Sequence, residues 1–132
     1  MKYKNHDLPE KLLYNCDSAW LKIDGDVATL GIIEPVAKAI KEFLFAKLPE
    51  KGGIKKGEVW LSLEALKWSG HLKSPVSGEV VEVNEKVYDE PDLINKDPYG
   101  TWIIKIKLCD KSEIKELKRP EQIVPWLDEV IK

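Results

Sequence analysis

Lys67 stands in a stretch whose residue types are suited to holding a covalently attached group. An apolar, strand-like run ends at Leu66, and Lys67 is followed by Trp68, a Ser69-Gly70 pair and then Ser74-Pro75-Val76-Ser77-Gly78. The pattern predicts a β-hairpin with Lys67 near its tip. A surface lysine normally has polar neighbours, whereas this flexible four-carbon stem rises from an apolar base and ends in an amine that can be acylated. On these residues alone, an ordinary exposed hairpin lysine remains the alternative.

Segments on both sides of Lys67 resemble the glycine cleavage system H-protein family, which has the lipoyl-carrier (biotinyl-lipoyl) fold, or a divergent H-protein-like lipoate-binding protein. In that family the acceptor lysine follows a Glu by three residues and precedes a Ser-Pro-Val-Ser-Gly-Glu-Val-Val segment. Glu64, Lys67 and Ser74 to Val81 occupy those places. Further similar segments, in the family's order, are Ile23 to Ile32, Leu48 to Glu50, Asn95 to Gly100 and Trp102 to Ile106. The resemblance covers residues 14 to 130.

The resemblance implies a carrier protein, not an enzyme. A lipoate-attaching enzyme would join lipoic acid to Lys67 as an amide, and the arm would shuttle an aminomethyl group. Its partners would be the decarboxylase, aminomethyltransferase and dihydrolipoamide dehydrogenase of the glycine cleavage system. A tether raises the local concentration of its reactive end near each docked partner. The implied context of the attachment site comprises Glu64, Leu66, Trp68, Ser74 and Gly78.

Two departures from the family concern the cleft that receives the loaded arm. The family's His-Glu-Trp is replaced by Ser18-Ala19-Trp20, and the Asp that follows the lipoyl lysine by four residues is replaced by His71. We therefore expect the cleft to lack carboxylates for the cationic amine of the cargo. The alternative hypothesis is an H-protein-like lipoate carrier that serves a heterodisulfide-reductase-like sulfur-oxidation complex.

Two lesser alternatives belong to other classes. Glu64 to Lys67 also resembles a biotin acceptor, whose lysine is typically flanked by methionines. Leu66 and Trp68 take those places here, and the only methionine is Met1. The last alternative is an unmodified interaction protein that has kept the fold and lost the arm.

Bulk composition limits the remaining classes. The chain has 132 residues, which we interpret as a single domain over residues 1–132 with a loosely packed lead-in over residues 1–13. A net charge of −2, with 33% charged residues of both signs, gives no basic surface for nucleic acid. No run approaches the roughly 18 apolar residues of a membrane span, and the start has no apolar signal-peptide core. We expect a cytoplasmic monomer.

The sequence offers no pattern for a metal site or a catalytic site. Cys16 and Cys109 are far apart and have no Cys-x-x-Cys or Cys/His ligand spacing, so we interpret both as reduced thiols. His6 and His71 are the only histidines. No Ser, His and Asp constellation is recognisable either.

Periodicity and turn signals predict a β-rich fold. We expect an antiparallel β-sandwich or flattened barrel of the lipoyl-carrier type, with short helices that include a C-terminal helix. Predicted strands are Ala19 to Ile32 as a hairpin with a type I′ turn at Asp24-Gly25, Phe43 to Leu48, Val59 to Leu66, Leu72 to Val83 and a strand around Trp102 to Leu108. A helix begins near Pro35 and either extends past Lys41-Glu42 or ends there without a glycine cap. The last helix begins at Pro120 and has an apolar stripe.

Overall fold

The computed structural model describes residues 1–131, which form two main antiparallel sheets around one hydrophobic core. The strands are β1 (Lys2–Tyr3), β2 (His6–Asp7), β3 (Leu13–Tyr14), β4 (Ala19–Asp24), β5 (Val27–Ile32), β6 (Phe43–Lys47), β7 (Gly52–Ile54), β8 (Val59–Ala65), β9 (Trp68–Lys73), β10 (Gly78–Val83) and β11 (Ile104–Leu108). The helices are α1 (Glu34–Ile40), α2 (Glu85–Asp89), α3 (Leu93–Lys96), a 3₁₀ helix over Lys111–Glu116 and α4 (Pro120–Val130). The six-stranded sheet has the order β3-β4-β5-β11-β10-β7, and the three-stranded sheet has the order β6-β8-β9. The predicted fold class is confirmed.

The hairpin of β4 and β5 lies within the six-stranded sheet and supplies much of the core. Asp24 pairs with Val27, so the two turn residues are Gly25 and Asp26. Only Gly25 has a positive φ, of 61°. A type I′ turn needs a positive φ at both central residues, whereas a type II′ turn needs it only at the first. The predicted hairpin is therefore confirmed, but the predicted turn at Asp24-Gly25 is wrong by one residue and in type.

The predicted strand from Leu72 to Val83 is two strands. β9 ends at Lys73 in the three-stranded sheet, and β10 begins at Gly78 in the other sheet, between β11 and β7. Residues 74 to 77 connect the two sheets. The strand is interrupted here because Pro75 has no N–H to donate to a neighbouring strand, and the Ser74 hydroxyl donates a hydrogen bond to the carbonyl oxygen of Val76 at 2.6 Å. The residue pattern from Leu72 to Val83 is continuous, so it does not indicate where the chain passes from one sheet to the other.

Helix α1 ends abruptly in a strained turn. Lys41 has φ 80° and ψ −64°, and the N–H of Glu42 donates to the carbonyl oxygen of Ile40 at 3.1 Å, which together define a γ-turn of the rare positive-φ type. The helix therefore ends without a glycine cap. Asn95 of α3 fastens both sides of the turn, since its side chain accepts from the N–H of Phe43 at 2.8 Å and donates to the carbonyl oxygen of Ala37 at 2.9 Å.

The N-terminal segment is packed, which differs from the loosely packed lead-in expected over residues 1–13. Tyr3 and Leu8 are buried, and β1 and β2 form a ribbon. The Tyr3 hydroxyl donates to Oδ1 of Asp128 on α4 at 2.7 Å. This packing is hard to predict from the residue pattern, because the buried residues are few and irregularly spaced in a polar segment.

Helix α4 has two different apolar sides. Ile123 and Leu127 are fully buried, as the predicted stripe required. Trp126 and Val130, on the adjoining side, face a cleft instead. Within residues 1–131, no helix is both long and apolar enough to cross a membrane.

Candidate functional site

Lys67 lies in a two-residue turn at the end of the β8–β9 hairpin. Ala65 pairs with Trp68, which leaves Leu66 and Lys67 as the turn residues. Both are exposed, and Leu66 has 85% of its surface open to solvent. Among residues 1–131, the positive-φ positions do not include either of them. The predicted position of Lys67 at a hairpin tip is confirmed, but Leu66 does not form a packed base beneath it.

Trp68 supplies the rigid support of this tip. Its ring packs against Phe43 of β6, with 5.9 Å between the ring centroids and 57° between the planes. It also folds back over Gly70, where a Cβ would come within 2.5 Å of the ring. A residue with a side chain at position 70 would push the indole away. The backbone that carries Lys67 is thus fixed from its C-terminal side.

The remaining context residues divide into two groups. Glu64 is exposed near Lys67 and pairs across the hairpin with Ser69. Ser74 lies seven residues beyond Lys67, roughly 20 Å away along an extended strand, and only 2% of its surface is exposed. Gly78 belongs to the other sheet, where a Cβ would overlap the carbonyl oxygen of Lys107. Ser74 and Gly78 therefore shape the crossing between the sheets, and only Glu64, Leu66 and Trp68 surround the tip.

A cleft of about 980 Å³ opens beside the tip. Its walls come from the loop before β4, from α1 and the turn that follows it, from the ends of β6, β8 and β9, and from the end of α4. Most of the side chains that line it are apolar: Val36, Ala39, Ile40, Leu44, Ala65, Leu66, Trp68, Leu72, Trp126, Val130 and Ile131. Lys67 lies on its rim, so a group attached to this lysine can enter it.

The cleft has two carboxylates, which corrects the expectation that it would have none. Asp17 and Glu42 both line it. Oδ2 of Asp17 accepts a hydrogen bond from the N–H of Lys73 on the open edge of β9 at 2.8 Å. Glu42 directly follows the γ-turn. Neither residue occupies the place of one of the two cleft acids that the chain lacks, although Asp17 directly precedes Ser18.

The other ionisable side chains of the cleft are Lys41, Lys67 and His71. His71 lies opposite Ser62 in the hairpin, and its Nδ1 is 2.8 Å from the Ser62 hydroxyl oxygen. Within residues 1–131, no salt bridge joins any charged side chain of the cleft to another residue. Both signs are therefore available to a ligand.

Neither cysteine lies in a position to form a disulfide or a metal site in the part of the chain that is described. Cys16 and Cys109 are both exposed and free. No group of three or more His, Cys, Asp or Glu residues among residues 1–131 is arranged to hold a metal ion. The site chemistry accordingly centres on the lysine and the cleft.

Comparisons with known proteins agree with one another. The family model described as glycine cleavage H-protein matches residues 12–130. A probable glycine cleavage system H protein from Aeropyrum pernix is 44% identical over 119 residues, which are 89% of this chain and 83% of that protein. The glycine cleavage system H protein of Halothermothrix orenii is 36% identical over 94% of this chain and 98% of its own length.

The fold gives the same result. The crystal structure of a glycine cleavage system H protein from Mycobacterium marinum superimposes with a TM-score of 0.79 and 28% identity, covering 93% of this chain and 98% of that one. The resemblance seen in the sequence is confirmed. The chain belongs to the glycine cleavage H-protein family, whose members are carrier proteins that bear a covalently attached lipoate.

Proposed function

We propose that Lys67 is the residue that bears lipoate and that this chain carries an aminomethyl cargo. Members of the family interact with glycine decarboxylase, aminomethyltransferase and dihydrolipoamide dehydrogenase, and we assign the same partners here, together with a lipoate-attaching enzyme. The observation that carries the proposal is the position of Lys67. It is an exposed lysine in a two-residue turn, on the rim of a cleft of about 980 Å³.

The residues present fit a lipoyl group. The Lys67 amine is exposed and joins no salt bridge among the described residues, so an attaching enzyme can reach it. The turn projects beyond the sheet, and Trp68 holds its base. The apolar walls of the cleft suit a hydrocarbon arm, because burying each methylene contributes about 0.8 kcal/mol. When bound, the lipoyl group would supply a pair of sulfur atoms. They would accept and release the cargo and would be reoxidised after its transfer.

Asp17 and Glu42 support a cationic cargo. A carboxylate attracts the amine of an aminomethyl group, and hydrogen bonds to charged groups are worth about 1.5–3 kcal/mol. The N–H of Lys73 fixes Asp17 through one oxygen, and no residue among 1–131 engages the other oxygen. Water screens part of this attraction because the cleft is open on one side. The two residues would therefore retain the cargo while still allowing its release.

The sulfur-carrier and biotin-carrier alternatives have less support than the glycine cleavage proposal. The sulfur-carrying hypothesis relied on a cleft without carboxylates, and Asp17 and Glu42 line the cleft. The relatives reported above are named for glycine cleavage. A biotin carrier would be expected to resemble a different family of acceptor domains.

Reconstitution tests the proposal. The lipoylated protein is supplied as the sole carrier to glycine decarboxylase, and the release of CO₂ from carboxyl-labelled glycine is measured. Lys67→Arg keeps the positive charge but offers no amine for an amide, so turnover should fall to background. Lys73→Arg, at an exposed lysine of the same hairpin, is the matched control and should keep full turnover. Turnover with Lys67→Arg, or none with lipoylated wild type, would contradict the proposal.

A further inference from the structure

The turn that carries Lys67 is not explained by its own residues. Leu66 and Lys67 close the β8–β9 hairpin, and neither belongs to the positive-φ residues within 1–131. The two-residue turns that match the twist of a hairpin need a positive φ, and turns without one splay the two strands. A contact outside the turn must therefore keep β8 and β9 together at this end.

One row of side chains crosses the three-stranded sheet at the base of this turn. Phe43 of β6 pairs with Ala65 of β8, and Ala65 pairs with Trp68 of β9. The two aromatic rings meet across the small Ala65 side chain, with 5.9 Å between their centroids. Phe43 is 1% exposed, so the core fixes its position. The indole thus links the strand that leaves the turn to the far strand of the same sheet.

Gly70 provides the space that the indole occupies. The two residues lie two positions apart on the same face of β9, and a Cβ at position 70 would come within 2.5 Å of the ring. Gly70 does not have a positive φ, so its backbone conformation suits any residue. A glycine inside a strand weakens that strand and often marks a close approach of another group. The contribution of Gly70 is therefore room for Trp68.

We infer that Trp68 is a positioning residue for the acylation of Lys67: its indole, packed on Phe43 and Gly70, holds the turn in the shape that the lipoate-attaching enzyme binds. This inference rests on the proposed function. In the acylation, the neutral amine of Lys67 attacks the carbonyl carbon of activated lipoate. A C–N bond forms, the bond from that carbon to the leaving group breaks, and the nitrogen releases a proton to solvent. Trp68 takes no part in these bond changes.

A rigid turn reduces the conformational entropy that is lost when the enzyme binds. Ordering the backbone of one residue on binding weakens the affinity by about 5- to 30-fold, so loss of the indole contact should weaken binding by about tenfold. The effect should appear as a higher KM for the protein substrate with kcat nearly unchanged, because the turn is ordered during binding and not during the chemical step.

Gly70→Ala tests the inference without changing Trp68 or Lys67. The protein without lipoate is modified by a lipoate-attaching enzyme, and the product is measured by intact mass at a series of protein concentrations. Gly70→Ala should raise KM by about tenfold, because the added Cβ displaces the indole. Trp68→Ala should have the same effect. Trp68→Phe should recover most of the loss, because it keeps an aromatic contact with Phe43.

Gly53→Ala is the matched control, because Gly53 also lies in a strand without a positive φ. A Cβ at position 53 would meet no atom within 4 Å. The KM of this variant should equal that of wild type. The urea midpoint of each variant verifies that it is folded under the assay conditions.

Direct chemical acylation separates a positioning role from a change in the amine itself. A small water-soluble activated ester needs no particular shape of the turn, and Lys67 is exposed. Its rate of reaction with Lys67, followed by peptide mapping, should therefore be the same in wild type and in Gly70→Ala. Only the enzymatic reaction should distinguish the two proteins.

The outcomes are distinguishable. A wild-type chain that takes no lipoate at Lys67 overturns both the proposed function and this inference. A wild-type KM in Gly70→Ala and in Trp68→Ala overturns only the inference. A parallel fall in enzymatic and chemical acylation would assign the effect to the reactivity of the amine. A rise in KM as large in Gly53→Ala as in Gly70→Ala would assign it to a general loss of stability. Either of these two results also overturns the inference.

Discussion

The β4–β5 hairpin and the β8–β9 hairpin both close with a two-residue turn, yet they use different residues for it. The first turn is Gly25-Asp26, and Gly25 takes the positive φ that such a turn favours. The second turn is Leu66-Lys67, and neither residue type has a preference for turns. Local turn chemistry therefore explains the first pair and leaves the second unexplained.

The two hairpins also differ in their surroundings. β5 lies between β4 and β11, and the hairpin places fully buried residues such as Leu21 and Leu30 in the core. β9 is an edge strand beside a cleft with exposed leucines and a strained turn. Departures from local rules are expected where function, and not stability, selects the residue. The first hairpin maintains the fold, and the second presents a lysine.

The largest effect on stability should come from the core hairpin. Trp20 is 3% exposed, its ring covers Gly31, and its Nε1 donates to the carbonyl oxygen of Pro98 at 3.0 Å. Trp20→Ala should lower the free energy of unfolding by about 3–5 kcal/mol. Trp68→Ala, in the tip hairpin, should cost less than half as much because Trp68 is only half-buried. Urea denaturation measures both, and equal losses would break the distinction between the hairpins.

A smaller loss is expected from the residue that fastens the strained turn beside the cleft. Asn95→Ala leaves the N–H of Phe43 and the carbonyl oxygen of Ala37 without their partner, at a cost of about 2–4 kcal/mol. Asn84→Ala is the comparison. The Asn84 side chain caps α2 with a 3.3 Å hydrogen bond and donates to the carbonyl oxygen of Trp102 at 2.7 Å, but neither bond is fully buried, so the cost should be only about 1–2 kcal/mol. Denaturation of the two variants would refute the fastening role of Asn95 if they lost the same stability.

Relief of the strain itself should raise stability. Lys41→Gly removes the penalty of a positive φ, and the gain should be about 1 kcal/mol after the added flexibility of the unfolded chain is deducted. Lys38→Gly, the same change within α1, should instead lower stability by about 1 kcal/mol. The two substitutions are three residues apart and should change the free energy of unfolding in opposite directions. A loss in both variants would show that Lys41 is not strained.

The last effect is confined to alkaline pH and concerns the contact that holds α4 near the cleft. Burial, with the hydrogen bond to Asp128, raises the pKa of Tyr3 from 10.0 to about 12. Folding therefore favours the neutral phenol, so its contribution to stability is complete below pH 10 and is lost as the pH rises to about 12. Burial also raises the pKa values of Tyr14 and Tyr99, so the chain as a whole should lose stability in alkali.

Tyr3→Phe should remove part of this alkaline loss and leave the remainder. The measurement is the denaturation midpoint at pH 9 and pH 11 for the variant and for wild type. An unchanged difference between the two pH values would mean that Tyr3 ionises as it does in the unfolded chain.

The sequence was sufficient for features that depend on neighbours along the chain. The alternation around Trp102 to Leu108 and the position of Lys67 between two strand-forming runs are local, and both appear in the structure. Local signals also misled, since the run from Leu72 to Val83 continues across the point where the chain changes sheets.

Features that depend on distant residues were not predictable in this way. The N–H of Lys73 fixes Asp17 from 56 positions along the chain, and Asn95 holds Phe43 from 52 positions. Neither residue belongs to a short motif. Only folding brings Asp17 and Glu42 to the same cleft, which is why the expectation of a cleft without carboxylates failed.

The most direct test is the intact mass of the protein from its native cells, followed by peptide mapping. We expect a lipoyl-sized increase in mass on the peptide that contains Lys67, and on no peptide that contains only other lysines. An unmodified Lys67, or the same increase on Lys41 across the cleft, would contradict the central claim that this turn presents the attachment lysine.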